Sequence, residues 1–343
     1  MILSEKCRFN QSFSPKPTAV DKPLLRKPIV LRRTVAVRPA VTLYKPHRLY
    51  KNYVRSSTQL YSGGNHLYLR PDTLDEAVNA LAGSGGQILA GGTDFFPSLG
   101  DRAVTGTVVD ISGLGELKGV VEEPEYIRIG GLTTWTEVVN AALPRCFDGL
   151  KAAAREIGGI QIQNRGTVAG NLCNASPAAD SVPPLLTLDA EVELASHAGI
   201  RRMPLTDFIV GNRKTLRQPG EILSRIFVPR TVENAASTFL KLGARRYLVI
   251  SIAMVSVVIQ TDSVGRVADA RVAVGSCSAV ATRLTKLEHA LVGAPVTGLG
   301  AFISAGHLKE LSPISDVRAT ASYRWDAALQ LIQRALDGFT GSS

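Results

Sequence analysis

Two short runs in this chain bring together residue types suited to cradling a ligand. The first is LAGGTDF, residues 89–95, which follows the apolar residues Ile88 and Leu89. Adjacent glycines at Gly91 and Gly92 allow positive φ and let bare backbone N–H groups come close to a bound anion. Thr93 adds a hydroxyl, so the run suits a pyrophosphate. A tight turn from strand to helix accounts for the same residues equally well. The run is neither a G-x-x-x-x-G-K-[ST] loop nor a dinucleotide fingerprint, since Ile88 stands where GSGGQILAGG would need its third glycine.

The second run, RGTVAGNLCNASPAAD at 165–180, is more specific. It offers Thr167, Gly170, Asn171 and Ser176 as hydrogen-bonding positions, with one acid, Asp180, and little bulk between them. Asn and Asp at this density also serve turns. Irregular chain of this length inside a globular body is usually functional, and 158–180 shows no regular period. Clustered cations follow in GNRKT (211–215) and KLGARR (241–246), where a solvated-face reading of Arg245 and Arg246 stands beside a functional one.

Other chemistries find no support. The five histidines, at 47, 66, 197, 289 and 307, form no H-x-H or H-x-x-x-H group, so no metal site is expected. Cys7, Cys146, Cys173 and Cys277 lie far apart, which argues against a disulfide framework, a zinc site or an iron–sulfur cluster held by this chain. No G-x-S-x-G elbow is present. Ligand-cradling loops without an acid–base centre point to a cofactor that carries the chemistry.

The formal net charge of +10 belongs to one end. Residues 1–57 hold 13 Lys and Arg against 2 acids, while the remaining 26 Lys and Arg face 27 acids, so the body is neutral and no basic groove for nucleic acid is expected. The Pro-rich basic stretch 1–60 reads as a disordered tail, an organellar transit peptide or the product of a misassigned start. No apolar run reaches the ~20 residues of a membrane span, and the cysteine usage fits a reducing cytoplasm.

The elements around the loops follow from periodicity. Helical spacing predicts helices over 73–83, 133–143, 149–157 and 205–211. Strands are expected at 87–92, 107–111, 126–131, 191–196 and 222–229. Past a polar linker near 231–236 come three strands, 238–243, 251–261 and 267–276, then helical patterns at 281–292, 298–311 and 320–337. Strands followed by helices without alternation predict a small α+β domain with its helices on one sheet face.

Several of these segments resemble a known family. LRPDTLDEAV, ILAGGTDF, IGGLTTWTEV, the run from QNRGTVAGNLCNASPAAD to LTLDAEVEL, and GNRKT…GEIL look like the FAD-binding medium subunit of molybdenum hydroxylases of the xanthine dehydrogenase and carbon monoxide dehydrogenase type. KLGARR, SIAMVSVVI and PISDVRATASYR look like that subunit's C-terminal domain. The resemblance implies an α+β protein. A two-subdomain FAD-binding fold of the vanillyl-alcohol-oxidase (PCMH) type at 64–232 is followed by a C-terminal domain at 235–339, a three-stranded sheet with helices.

The resemblance also implies a site. Ile88, Leu89 and Ala90 would lead into a loop in which Gly91, Gly92 and Thr93 wrap the FAD pyrophosphate, with Asp94 and Phe95 completing the run. Thr167, Gly170, Asn171 and Asp180 would bond phosphate, ribityl or ring atoms. Leu223 would pack on the cofactor, and Lys241 would stand near the flavin, where a cation stabilises reduced flavin. The implied partners are a molybdopterin-binding large subunit and a [2Fe–2S] small subunit. Electrons would pass from the cluster through FAD to NAD+ or another acceptor, and the oxidoreductase would work only as a complex. At Gly159 and Ile160 many relatives carry a polar residue or Pro instead, near the expected flavin face. A self-sufficient flavin reductase using NAD(P)H and a non-catalytic assembly subunit are the alternative readings of the same fold.

Overall fold

The structure, a computed structural model, describes residues 61–63 and 66–339. The reading of 1–60 as a tail lies outside these residues. The described part is a mixed α and β body built on three principal sheets.

The first sheet has the order Tyr61–Gly63, His66–Leu69, Thr107–Asp110, Gln87–Leu89. Its last three strands run parallel, and the helix Leu74–Ser84 makes the crossover between two of them. That helix is set by its ends. Thr73 accepts from the N–H of Glu76 at the start, and Gly85 stops it at φ 59°. Leu74, Ala77, Val78 and Leu81 form its buried stripe, where a fully buried leucine stabilises by about 2 kcal/mol.

The second sheet is wholly antiparallel, ordered Val120–Glu122, Tyr126–Gly130, Ile222–Pro229, Glu191–Ser196, Gly199–Pro204. A register shift between Leu223 and Arg225 bends its central strand beside the first sheet. The third sheet runs Ala236–Leu242, Ala253–Thr261, Val267–Gly275, Thr282–Arg283. It is buried on both faces. Val257 and Val272 face the C-terminal helix Ala321–Asp337, whereas Val258 and Ala273 join the core of the second sheet. This explains why 253–259 is buried throughout and apolar except for Ser256, where a half-exposed strand would alternate.

Several expectations need correction. The C-terminal sheet has four strands, not three. Thr282–Arg283 pairs with Ala273 and Val274, so the expected helix at 281–292 starts only at Thr285. The expected helix at 298–311 is two short 3-10 turns, Leu299–Phe302 and Ala305–Leu308. Gly300 there lends its N–H to the Asp337 carboxylate, and Ser304 starts a new cap with His307. The helix expected over 205–211 ends at Phe208, because Ile209–Gly211 pairs with Lys214–Thr215 across Arg213 at φ 54°. The polar linker near 231–236 buries Val232 and Ala235. The run 158–180 contains two short helices, Ile160–Gln163 and Val168–Asn174, too brief to leave a periodic signal.

Arg324 fastens the C-terminal helix to the third sheet. It is fully buried, and its guanidinium donates to the carbonyls of Ile252 at 2.6 Å and Ser276 at 3.2 Å and to Asp316 Oδ1 at 2.7 Å. Removing one partner of a buried charged network strands the rest. Arg324→Ala is therefore expected to lower the free energy of unfolding by about 3 kcal/mol, read from denaturant melts. A loss within error of zero would show that the guanidinium does not hold the helix.

Candidate functional site

Both glycine runs border one cleft of about 400 Å³. The strand Gln87–Leu89 ends where Gly91 meets the second run. A β-carbon on Gly91 would lie 1.9 Å from the Arg165 carbonyl oxygen, so the two loops touch backbone to backbone. Gly92 sits at φ 79°, with the Phe96 ring 2.9 Å from where its β-carbon would be. The helix Phe95–Leu99 follows at once. Among the described residues, the N–H groups of Gly91, Gly92 and Thr93 have no partner. Three free donors in succession beside a cleft form an anion-binding nest.

The second run is held by the strand end beneath it. Val168 and Ala169 donate to the carbonyls of Thr133 and Gly131, and Trp135 donates to that of Gly166. Thr167 caps the helix Val168–Asn174 by accepting from the N–H of Gly170. That helix start therefore has its backbone donors satisfied, and the run offers side chains instead. Thr167 retains its hydroxyl hydrogen. Asn171 uses its Oδ1 on the Ser181 hydroxyl at 2.6 Å, which leaves the amide group of its side chain as a donor. Asn174 ties the two runs together, donating to Asp94 Oδ1 at 3.0 Å and accepting from Arg213 Nη1 at 2.7 Å.

Eleven of the fourteen residues expected at the site line this cleft. The first run contributes Ile88, Ala90, Gly91, Gly92, Thr93, Asp94 and Phe95, the second Thr167, Gly170 and Asn171, and the bent strand Leu223. Leu89 does not line it, because its side chain turns into the interior. Asp180 and Lys241 are absent from the lining as well. They form a buried ion pair at 2.7 Å, with the Ser251 hydroxyl on the other carboxylate oxygen. Burial pushes the Asp180 carboxyl above the usual carboxylate range, against the opposing pull of Lys241 and Ser251.

Sequence reasoning assigned no role to Trp135, Ile157 and Ile162, which supply apolar wall, or to Arg217. Arg213 belonged to the cation cluster already noted in GNRKT. Cys173 also lines the cleft, and burial lifts its thiol to about 11, so it is neutral near pH 7. A second hollow of about 450 Å³ lies against Lys241, Glu156 and the 243–249 loop. Arg245 there is occupied by the carbonyls of its own loop, Tyr247 and Leu248. The first cleft is the one that both glycine runs border.

The donors of the first cleft suit a diphosphate, and its Trp, Ile and Leu wall suits a planar apolar ring, so the residues present fit FAD. Gly91→Ala forces the two loops apart and is expected to abolish uptake of added FAD, followed by flavin absorbance after gel filtration. Gly83→Ala, with open space around the new methyl group, is expected to retain uptake. Equal uptake by both would remove the loop contact from the site.

Comparison with known proteins agrees with this geometry. Residues 59–231 match the model of the FAD binding domain in molybdopterin dehydrogenase, and 238–338 that of the CO dehydrogenase flavoprotein C-terminal domain. The nicotinate dehydrogenase FAD-subunit of Eubacterium barkeri is 35% identical over 67% of this chain and 80% of its own. The xanthine dehydrogenase FAD-binding subunit of Escherichia coli O157:H7 is 34% identical over 78% of this chain and 91% of its own. Among solved structures, the carbon monoxide dehydrogenase of Hydrogenophaga pseudoflava superposes with a TM-score of 0.73 at 28% identity, covering 79% of this chain and 96% of that one. The chain belongs to the family of FAD-binding medium subunits of molybdenum hydroxylases.

Proposed function

We propose that this chain holds one FAD in the cleft between its glycine loops and serves as the electron-transfer subunit of a molybdopterin-dependent dehydrogenase. The observation that carries the reading is the row of unpaired N–H groups at Gly91, Gly92 and Thr93, set against an apolar wall. FAD supplies the exchange of electrons, singly or in pairs, that links a one-electron donor to a two-electron acceptor.

The residues divide the remaining work. Gly91, Gly92 and Thr93 neutralise the diphosphate through aligned dipoles, which act strongly where water is excluded. Thr167 and Asn171 orient the cofactor through their free donors. Leu223, Ile157 and Trp135 hold its apolar part and keep water out. The Asp180–Lys241 pair lies behind this wall and presents a fixed cation there. In this reading 64–232 forms the cofactor domain and 235–339 the C-terminal domain.

Electrons arrive from a [2Fe–2S] subunit that accompanies a molybdopterin-binding large subunit, and leave to NAD+ or another acceptor. The four cysteines, at 7, 146, 173 and 277, do not provide a cluster, which supports a separate iron–sulfur partner. A cytoplasmic setting fits the unpaired state of Cys146, Cys173 and Cys277.

The purified chain is expected to show a flavin spectrum and to release about one FAD per chain, identified by chromatography, and to oxidise no substrate until the partner subunits are added. A colourless chain that also refuses added FAD would overturn the reading. Turnover with NAD(P)H by the isolated chain would favour a self-sufficient reductase.

A further inference from the structure

Ser251 is fully buried and stands two residues ahead of the strand Ala253–Thr261. Its hydroxyl donates to Asp180 Oδ1 at 2.5 Å, while Lys241 Nζ meets Asp180 Oδ2 at 2.7 Å. Its carbonyl accepts from Arg318 Nη1 at 3.0 Å, and the next carbonyl, that of Ile252, accepts from Arg324. Both guanidinium groups grip Asp316, Arg318 through Oδ2 at 2.6 Å and Arg324 through Oδ1 at 2.7 Å. The segment 316–324 therefore clamps the main chain at 251–252 while the Ser251 hydroxyl reaches Asp180, 71 residues away in sequence.

The Asp180–Lys241 pair is one residue removed from the cleft wall at two points. Lys241 Nζ also donates to the Glu156 carbonyl at 3.4 Å, next to Ile157. Ser181, next to Asp180, donates to Asn171 Oδ1. Ile157 and Asn171 both line the cleft. A shift of either partner would thus reach the wall.

A carboxylate held out of water stays charged only if its partners are well placed. The charged groups that face Asp180 are Lys241, which stabilises the ionised form, and Glu156, which opposes it. Beyond the Ser251 carbonyl lie Arg318 and Asp316. The Ser251 hydroxyl adds a neutral donor to the ionised form and fixes which oxygen is left for Lys241.

We propose that Ser251 is a positioning residue for the cofactor: clamped by Arg318, its hydroxyl holds Asp180 ionised and aimed at Lys241, so that the cation behind the cleft wall keeps a fixed place. The inference rests on the reading of the cleft as an FAD site. It makes the C-terminal segment 316–324 part of what tunes the flavin, although none of it lines the cleft.

The test uses the full chain with FAD bound. The midpoint potential of the flavin is measured over the whole pH range in which the chain stays folded and keeps its FAD, and a change of slope marks the titration of Asp180. Removing a donor to the ionised form favours the protonated form, so Ser251→Ala is expected to move that change of slope up by about one pH unit, a tenfold rise in proton affinity. Ser251→Thr keeps the hydroxyl and is expected to restore the original position. Arg318→Gln loosens the clamp and is expected to shift it in the same direction by less, and serves if Ser251→Ala does not fold.

A parallel series follows the thermal midpoint of the flavin-stripped chain against pH, where the same displacement is expected. A Ser251→Ala chain that binds FAD and follows the wild-type profile at every pH would overturn the proposal, as would a Thr variant that fails to restore it. A wild-type chain that takes up no FAD overturns the reading on which it rests, and the flavin-free series then still decides whether Ser251 governs Asp180.

Discussion

The contact between Gly91 and the Arg165 carbonyl constrains the rest of the structure. Only a residue without a β-carbon lets the two loops close to this distance, and the closure creates the cleft. Everything nearby is arranged to hold it. The first sheet delivers Gly91 at the end of a parallel strand. The second sheet delivers Arg165 through hydrogen bonds from residues 166–169 to the strand end at 131–135. Asn174 then spans from Asp94 to Arg213 and closes the seam with side-chain bonds. The donors of the first loop stay free, whereas those at the start of the second loop's helix are taken by Thr167 and by the carbonyls of Gly131 and Thr133.

How much of this was legible in the sequence depended on whether the signal was local. The helix Leu74–Ser84 announced itself through Thr73, its early acids and its apolar spacing, all within a dozen residues. The glycine loops were visible because several glycines with few bulky neighbours leave no other reading but turn or ligand. Trp135 and Ile157 were hidden, since an apolar residue at helical spacing looks the same whether it faces a core or a cofactor. The strand Thr282–Arg283 was absorbed into a helical pattern, because its two residues are strand only by pairing with Ala273 and Val274. Asp180 and Lys241 were found as residues but not as partners. Their pairing spans 61 positions, and the serine that completes it carried no sign of a role within a largely apolar stretch.

The third sheet shows the same limit from the other side. Its β-branched, largely apolar segments predicted strands correctly but could not say that both faces are covered. One face takes the C-terminal helix, while the other takes Val182–Thr187 from the preceding domain, along with that domain's own core residues. A proline pair at Pro183 and Pro184 starts that short helix, where the missing N–H groups cost nothing.

That double burial bears on how the chain can be divided. Val258 and Ala273 belong to the core of the second sheet as fully as Ile226 or Leu185 do, so a cut in the linker would open an oily face on each fragment. The two family segments are separable as text but not as objects. Evolution could exchange the C-terminal segment among relatives only together with the surface it seals.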